Sequence, residues 1–412
     1  MEEMKIRRRN KSPFLFMFLC FLFSIICTGR YVLAEDEKTE ILIGAHLPIS
    51  GALAKASVEQ RWAYEKAVED INRNGGIYVK KYDKKLPVRL IIIDDETNPQ
   101  KAAEVVEELI TRKKVDLLLS GHTGAHGVLP GMVIAEKYNK YYHGALAWVP
   151  DFLEYDFKWS TLYMFDMVQG GAVPFEVMKT LPPKRGPTRP ALFIEDTFDG
   201  KQIGNIWVAL AEKYGYKIVM WKSISMGARD FSAQIERAKF LGVDAVLLFA
   251  NTEETIALLR QMKGKNFNVK LFHGMKGAWA TKFYEVLDKD AEYVMCDGFW
   301  YMDYPFPGAK QLGERFYKEH GRHSISVGMH YALCQTLWQA IERAGTLDSK
   351  RVRQAVLYNE FDTVMGKVDY DERGIALFPL AEFQWRKGRL QIIYPFDYSN
   401  VKVMIAPLWS ER

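Results

Sequence analysis

The sequence predicts an α/β protein of two Rossmann-like lobes. Three observations carry this. Short apolar segments alternate with amphipathic helical patterns from about residue 40 onward, the series restarts near residue 188, and the strand ends of both series carry glycines beside polar or aromatic residues. Alternating βα order puts strands into a parallel sheet with helices on both faces. Two such units, each near the usual domain size, leave a cleft between them.

Taken in order, the chain begins with a segment unlike the rest. "MEEMKIRRRNK" is basic, "PFLFMFLCFLFSIICTG" is an unbroken apolar run, and "YVLA" precedes the acidic "EDEK". This reads as a secretory signal peptide over residues 1–34, cleaved after Ala34. Its apolar run approaches membrane-spanning length, so an uncleaved anchor is the alternative. The segment holds six of the 56 basic and two of the 51 acidic residues, so most of the formal net charge of +5 resides in it. The remainder is balanced, which gives no support to nucleic-acid binding. No later stretch is long and apolar enough to span a membrane. The expectation is an exported, soluble, periplasmic protein. Two of the four cysteines lie in the leader, and Cys296 and Cys334 are left as one disulfide or two buried thiols.

The first series supplies strands at "EILIGAHLPI", "VRLIIIDDE", "VDLLLSG" and "YYHGALA". Between them, "SVEQRWAYEKAVEDINRN" and "NPQKAAEVVEELITRKK" have helical periodicity. Asn98-Pro99 is a helix-start signal, and Ala103, Val106 and Ile110 mark one apolar face. "TLYMFDMVQGG" reads as a short strand crossing, a hinge rather than a flexible tether. The second series supplies "RPALFIED", "KIVMWKSI", "VDAVLLFAN" and "VKLFHGM", with helices at 200–214, 229–241 and 252–264. The last third is helical, notably "SISVGMHYALCQTLWQAIERAG", and closes with two strands around the turn "RKGR".

In open α/β sheets ligands sit beyond the carboxyl ends of the strands. Those ends here are "HLPISG", "SGHTGAHG", "HGALAW", "EDTFDG", "FANTEE" and "HGMKGAW". Within them Lys276 stands between Gly274 and Gly277, a lysine offered to the cleft or, in the alternative, a solvated loop lysine. Trp148 and Trp279 each follow a strand end by a few residues and are candidates to line a ligand, and Phe198 falls in the "EDTFDG" end. His122 and His126 are four apart but lack the glutamate of a zinc motif, and Gly124 disfavours the helix it needs. They read as surface histidines, or one of them takes a pocket or capping role. His320, His323 and His330 fit no tetrahedral set and read as solvated helix ends. With no triad, paired carboxylates or nucleotide fingerprint, neither an enzyme nor a cofactor is expected.

The order of these motifs resembles the periplasmic solute-binding proteins of branched-chain amino-acid ABC transporters, the leucine-binding-protein-like type I group. "LPISG" (Leu47 to Gly51) matches the first strand-to-helix turn. "AVEDINRNGGI" (Ala67 to Ile77), "LIIIDDETNPQKAAEVVEELI" (Leu90 to Ile110) and "DTVMGKVDYDERG" (Asp362 to Gly374) carry the rest, within a likeness spanning residues 40 to 390. The resemblance implies two lobes joined by a three-crossover hinge that closes on a ligand like a Venus flytrap. It places residues 35–165 with 299–377 in the N-terminal lobe, and 166–298 with 378–412 in the C-terminal lobe.

It also implies a ligand site. The carboxylate cradle falls on Thr123, Gly124 and His126, and the next strand end on Ala145 and Ala147, where a usual hydroxyl is missing. From the second lobe a usual tyrosine maps to Asn251, and the acid that pairs with a ligand ammonium maps to Lys276. A lysine at that position favours an organic acid without a free amine over an amino acid. The implied role is capture of a small carboxylate-bearing solute by a monomer that docks on the membrane permease of an ABC importer. The alternative is a ligand-sensing domain partnering a separate signalling protein.

Overall fold

The computed structural model describes residues 38–122, 127–279, 281–399 and 401–412. The leader read over residues 1–34, and Thr123, Gly124 and His126, lie outside the described residues.

The chain enters through β1 (Ile41–Leu47), α1 (Val58–Arg73) and a small antiparallel hairpin, β2 (Ile77–Val79) with β3 (Lys84–Leu86). There follow β4 (Val88–Asp94), α2 (Pro99–Thr111), β5 (Leu117–Leu119), α3 (Leu129–Lys137), β6 (Tyr142–Ala145), α4 (Val149–Glu154) and β7 (Ser160–Met164). The start signal of α2 acts as read: Pro99 opens the helix and the Asn98 side chain accepts from the Lys101 amide at 3.0 Å. Its buried face runs through Ala102, Val105, Val106, Leu109 and Ile110, so Ala103 sits at the edge of the stripe rather than in it.

Helix α5 (Met167–Lys179), capped by the Asp166 carboxylate on the Gln169 amide, leads into the second series. This comprises β8 (Pro190–Glu195), α6 (Phe198–Lys213), β9 (Met220–Ile224), α7 (Ser232–Phe240), β10 (Ala245–Phe249), α8 (Thr252–Gly264), β11 (Leu271–Met275), α9 (Thr281–Leu287) and β12 (Val294–Gly298). Every residue of β10 is buried, as expected of a strand covered on both faces. The chain then supplies α10 (Ala309–His320), α11 (Val327–Ala344), α12 (Ser349–Leu357), the hairpin β13 (Phe361–Thr363) with β14 (Gly366–Val368), and β15 (Ile375–Leu377). It ends on the hairpin β16 (Ala381–Arg386) with β17 (Arg389–Tyr394), turned by Lys387 and Gly388, both at positive φ.

Residues Glu40–Arg412 cohere as one unit built on two main sheets. The first has the order β15-β7-β6-β5-β1-β4 and is parallel throughout. The second has the order β17-β16-β12-β11-β10-β8-β9, parallel except for β16 and β17. Helix α11 packs on α1 and β2, on the side of the first sheet. The chain therefore passes between the sheets three times, after β7, after β12 and after β15. Each passage carries a phenylalanine: Phe165, Phe299 and Phe378. Phe165 stacks on Phe299 at 5.8 Å between centroids, and Phe378 packs on both at 6.1 and 5.9 Å.

Two sequence readings resolve here. Cys296 on β12 and Cys334 on α11 are free and buried. His330 is not a solvated helix end: it is 2% exposed in α11, edge-on to Tyr64 of α1, because α11 packs against α1 at this position.

Candidate functional site

The carboxyl ends of the second sheet converge on Lys276. It follows β11 directly, in the left-handed region at φ +54°, an uncommon conformation for a residue with a side chain. The next position has to be glycine. A Cβ on Gly277 would lie 1.9 Å from Thr255 Oγ1 and 2.7 Å from the Ala250 carbonyl. The Lys276 side chain is 25% exposed, and its ammonium lies 3.1 Å from Glu195 Oε1 at the end of β8. It also sits 4.5 Å from the ring centroid of Phe249, the last residue of β10. Lys276 is thus not a solvated loop lysine. Glu195, 2% exposed, keeps its second oxygen without a protein partner.

Beside it, Asp297 near the end of β12 accepts from the Trp279 indole at 2.7 Å and from the Lys276 amide at 3.4 Å. Burial pushes its carboxyl above the usual aspartate range, against the charge of His273 and the Trp279 bond. Deeper in the sheet, His273 Nδ1 meets Glu382 Oε1 at 2.6 Å. Burial pulls the His273 imidazole down, but the Glu382 charge and hydrogen bond outweigh it and leave the pKa raised. Burial raises Glu382 in turn. Asp297 and Glu382 are register partners across β12 and β16, so two carboxyls and one imidazole share one face of the sheet.

On the first sheet the carboxyl ends are braced by buried polar bonds. His46 at the end of β1 bonds Asp95 through Nδ1 at 3.0 Å and the Tyr142 hydroxyl through Nε2 at 2.8 Å. The same hydroxyl accepts from the Gly121 amide at 2.7 Å. With Tyr142 donating to Nε2, Nδ1 carries the proton and donates to Asp95. A Cβ on Gly121 would come 2.2 Å from the His46 ring, so the backbone approaches the imidazole only because this residue is glycine. His122 packs against Gln60 Oε1 at 2.7 Å, and burial lowers its pKa to about 4, against the pull of Asp95 and Glu59. Gln60 also donates to the carbonyls of Ser120 and Gly121, tying α1 to this strand end. His122 is the last described residue before Thr123, Gly124 and His126, which lie outside the described residues.

The other expected residues are distributed as follows. Ala145 is buried, and its amide donates to Ser120 Oγ at 2.9 Å while its carbonyl accepts from the same hydroxyl at 3.0 Å, so its backbone is already engaged. Ala147 is fully buried. Asn251 precedes α8 in extended conformation, and its side chain makes no capping bond. Phe198 opens α6 and is 71% exposed. Trp148 packs edge-on to Phe165 at 5.6 Å and donates its indole N–H to Asp199 Oδ1 at 3.3 Å. Asp199 belongs to α6, so this bond joins the loop after β6 to the second lobe. Trp279 packs on Phe299 at 5.7 Å. Trp148, Phe165, Phe299, Trp279, Asp297 and Lys276 form one connected chain of contacts across the hinge.

Sequence reasoning missed Glu195, Asp297 and the three hinge phenylalanines. Glu195 closes an otherwise apolar strand, "PALFIE", and that lone acid was its signal; the convergence of the phenylalanines had none.

A sequence model of the periplasmic binding proteins matches residues 40–389. A leucine-, isoleucine-, valine-, threonine- and alanine-binding protein of Pseudomonas aeruginosa is 24% identical over 366 residues, 87% of this chain and 92% of that protein. Among solved structures, the branched-chain amino acid transporter substrate binding protein of Streptococcus pneumoniae, in complex with isoleucine, is similar with a TM-score of 0.71 at 17% identity, covering 87% of this chain and 100% of that one. A solute binding protein of an ABC transporter from Rhodopseudomonas palustris, in complex with 3,4-dihydroxybenzoic acid, is similar with a TM-score of 0.67 at 16% identity, covering 86% and 95%. At these identities the solved structures establish likeness of fold.

Proposed function

The chain belongs to the periplasmic binding protein family, and from that premise we propose that it is the extracytoplasmic solute-binding protein of an ABC importer, capturing a small carboxylate-bearing ligand between its lobes. Its relatives are named as binding proteins, not enzymes. The lobes are proposed as residues 35–165 with 299–377 and 166–298 with 378–412, and the mature protein as a periplasmic monomer that docks on a membrane permease. Closure has a simple physical basis. Only the closed form contacts ligand from both lobes, so ligand shifts the population toward it by that difference in affinity.

The observation that carries the ligand class is the Lys276–Glu195 pair. An ammonium has three N–H donors, of which Glu195 takes one, leaving donors for a ligand carboxylate. A ligand ammonium at this turn would meet Lys276 in a cleft that excludes water, where like charges cost more than in bulk solvent. Glu195 already holds the lysine, and the neighbouring Asp297 carboxyl is engaged by the Trp279 indole and the Lys276 amide. The favoured ligand is therefore an organic acid without a free α-amino group, even though the Pseudomonas relative is named for amino acids. Thr123, Gly124, His126, Ala147, Trp148, Phe198 and Asn251 are proposed as the remaining contacts. Ala145 is proposed as a positioning residue, since Ser120 occupies its amide.

A thermal-shift screen of the mature protein over matched pairs of amino acids and their deaminated acids tests this. A cleft ligand at about 100 times its dissociation constant adds roughly 2.7 kcal/mol to stability. Stabilisation by the deaminated acids supports the reading, and stabilisation by the amino acids alone opposes it.

A further inference from the structure

We infer that the cleft is built for a ring, and that the ligand is an aromatic carboxylate. This rests on the carboxylate reading above and narrows it. Five aromatic side chains run across the hinge in unbroken contact: Trp148, Phe165, Phe299, Phe378 and Trp279. One comes from each of the three passages between sheets, and the two tryptophans come from strand ends on either lobe. A hinge needs an apolar core, and Phe165 and Phe378 supply one, at 5% and 3% exposure. The other three rings remain partly exposed after packing against it.

The two tryptophans are also fixed in orientation. Each indole N–H is held by a carboxylate, Trp148 by Asp199 and Trp279 by Asp297. Asp297 is 2% exposed, and its other oxygen has no protein partner. Burying a carboxyl against an indole is unfavourable unless the bond is made. Here that bond sets the plane of a ring beside Lys276. A partly exposed, oriented aromatic surface next to an ammonium matches a flat π-system bearing one carboxylate. Edge-to-face and offset contacts with such rings are stronger than burial of the same area of aliphatic surface. Because Phe299 lies where the chain passes between lobes, its partly exposed ring is present before the lobes close, and an aromatic body can dock on it first.

Titration calorimetry on the mature protein with benzoate, cyclohexanecarboxylate and 4-methylpentanoate tests the inference. Benzoate is expected to bind about tenfold more tightly than cyclohexanecarboxylate, the upper end of the gain from one or two ring contacts. Trp279→Leu is expected to abolish that preference. Phe299→Leu, which leaves the Asp297 bond intact, is the second variant should the first fail to fold. Equal or reversed affinities for the two six-membered rings, or a preference that survives in the folded variants, overturn the inference. Binding of 4-methylpentanoate without benzoate overturns it while leaving the carboxylate reading in place. Binding of none of the three overturns it, and a wider carboxylate panel that also fails takes the broader reading with it.

Discussion

Lys276 and Glu195 meet over an intervening strand: they close β11 and β8, and β10 runs between those strands with Phe249 beneath the ammonium. Their exposures are unequal, 25% and 2%, so the two halves of the pair are not equivalent to remove. Lys276→Met leaves a buried carboxylate alone and is expected to cost about 2 kcal/mol, below the usual range for a fully buried pair because water reaches the lysine. Glu195→Gln leaves a lysine that water can reach and is expected to cost less. It also frees a donor and is expected to tighten carboxylate binding severalfold. Denaturant melts of both single variants and the double variant, with calorimetry on the folded ones, check this; additive stability losses would contradict the coupling.

Gly277→Ala is expected to destabilise by roughly 1–3 kcal/mol as an overpacked site, because its Cβ would collide with Thr255 Oγ1 and the Ala250 carbonyl. Relief of that clash displaces the turn bearing Lys276, so ligand affinity is expected to fall with it. Chemical melts and calorimetry read both. Unchanged affinity would separate Lys276 from the ligand.

The Trp148 indole bond to Asp199 ties the loop after β6 of the first sheet to α6, which packs on β8 of the second. Asp199→Ala removes an exposed bond, worth about 0.5–1.5 kcal/mol at most. It is expected to expand the unliganded protein in small-angle scattering and to weaken ligand binding by about two- to tenfold, without loss of secondary structure. Scattering curves identical to those of the parent protein would show that the bond does not favour closure.

Acid should destabilise the protein through histidines buried in neutral form. Burial lowers His122 to about 4 and His143 to about 3, and it lowers His330 as well. For each, the unfolded chain binds a proton that the folded chain refuses, so stability falls as pH drops from about 6.5 toward the folded value, by about 1.4 kcal/mol per unit per group. His273, Asp297 and Glu382 have raised values and act with the opposite sign, favouring the fold at lower pH and giving up that contribution as pH rises. Four depressed imidazoles, with His323 lowered by burial as well, outnumber the raised imidazole and the two raised carboxyls and predict a net loss between pH 6.5 and 5. Urea melts across that range check it, and His143→Gln should flatten the slope. Stability that is constant or rises on acidification would contradict the balance.

The strands and helices were legible because their periodicities are strong: "VDAVLLFAN" is a buried run and "VRLIIIDDE" an apolar, half-buried edge strand, each between clear helical stripes. The hairpin of β2 and β3 was not, since "KKYDKK" alternates too little apolar character to show a strand. Lys276 was legible because glycines frame it. Its partner was not, because Glu195 lies 81 residues earlier and only the sheet order brings the two strand ends within reach. The same holds for Phe165, Phe299 and Phe378, brought together by three separate passages of the chain. His330 misled the reading because it was taken with His320 and His323, whereas its own neighbours, Val327, Met329, Ala332 and Leu333, are apolar and buried.

Isothermal titration of the mature protein with 3-phenylpropanoate and with phenylalanine compares two ligands that differ at the α-amino group, and so tests the central claim about Lys276 most directly. The account predicts that 3-phenylpropanoate binds at least about tenfold more tightly, the value of one charge-assisted bond, and that the difference shrinks in a folded Lys276→Met variant. Tighter binding of phenylalanine, unaffected by Lys276→Met, would contradict it.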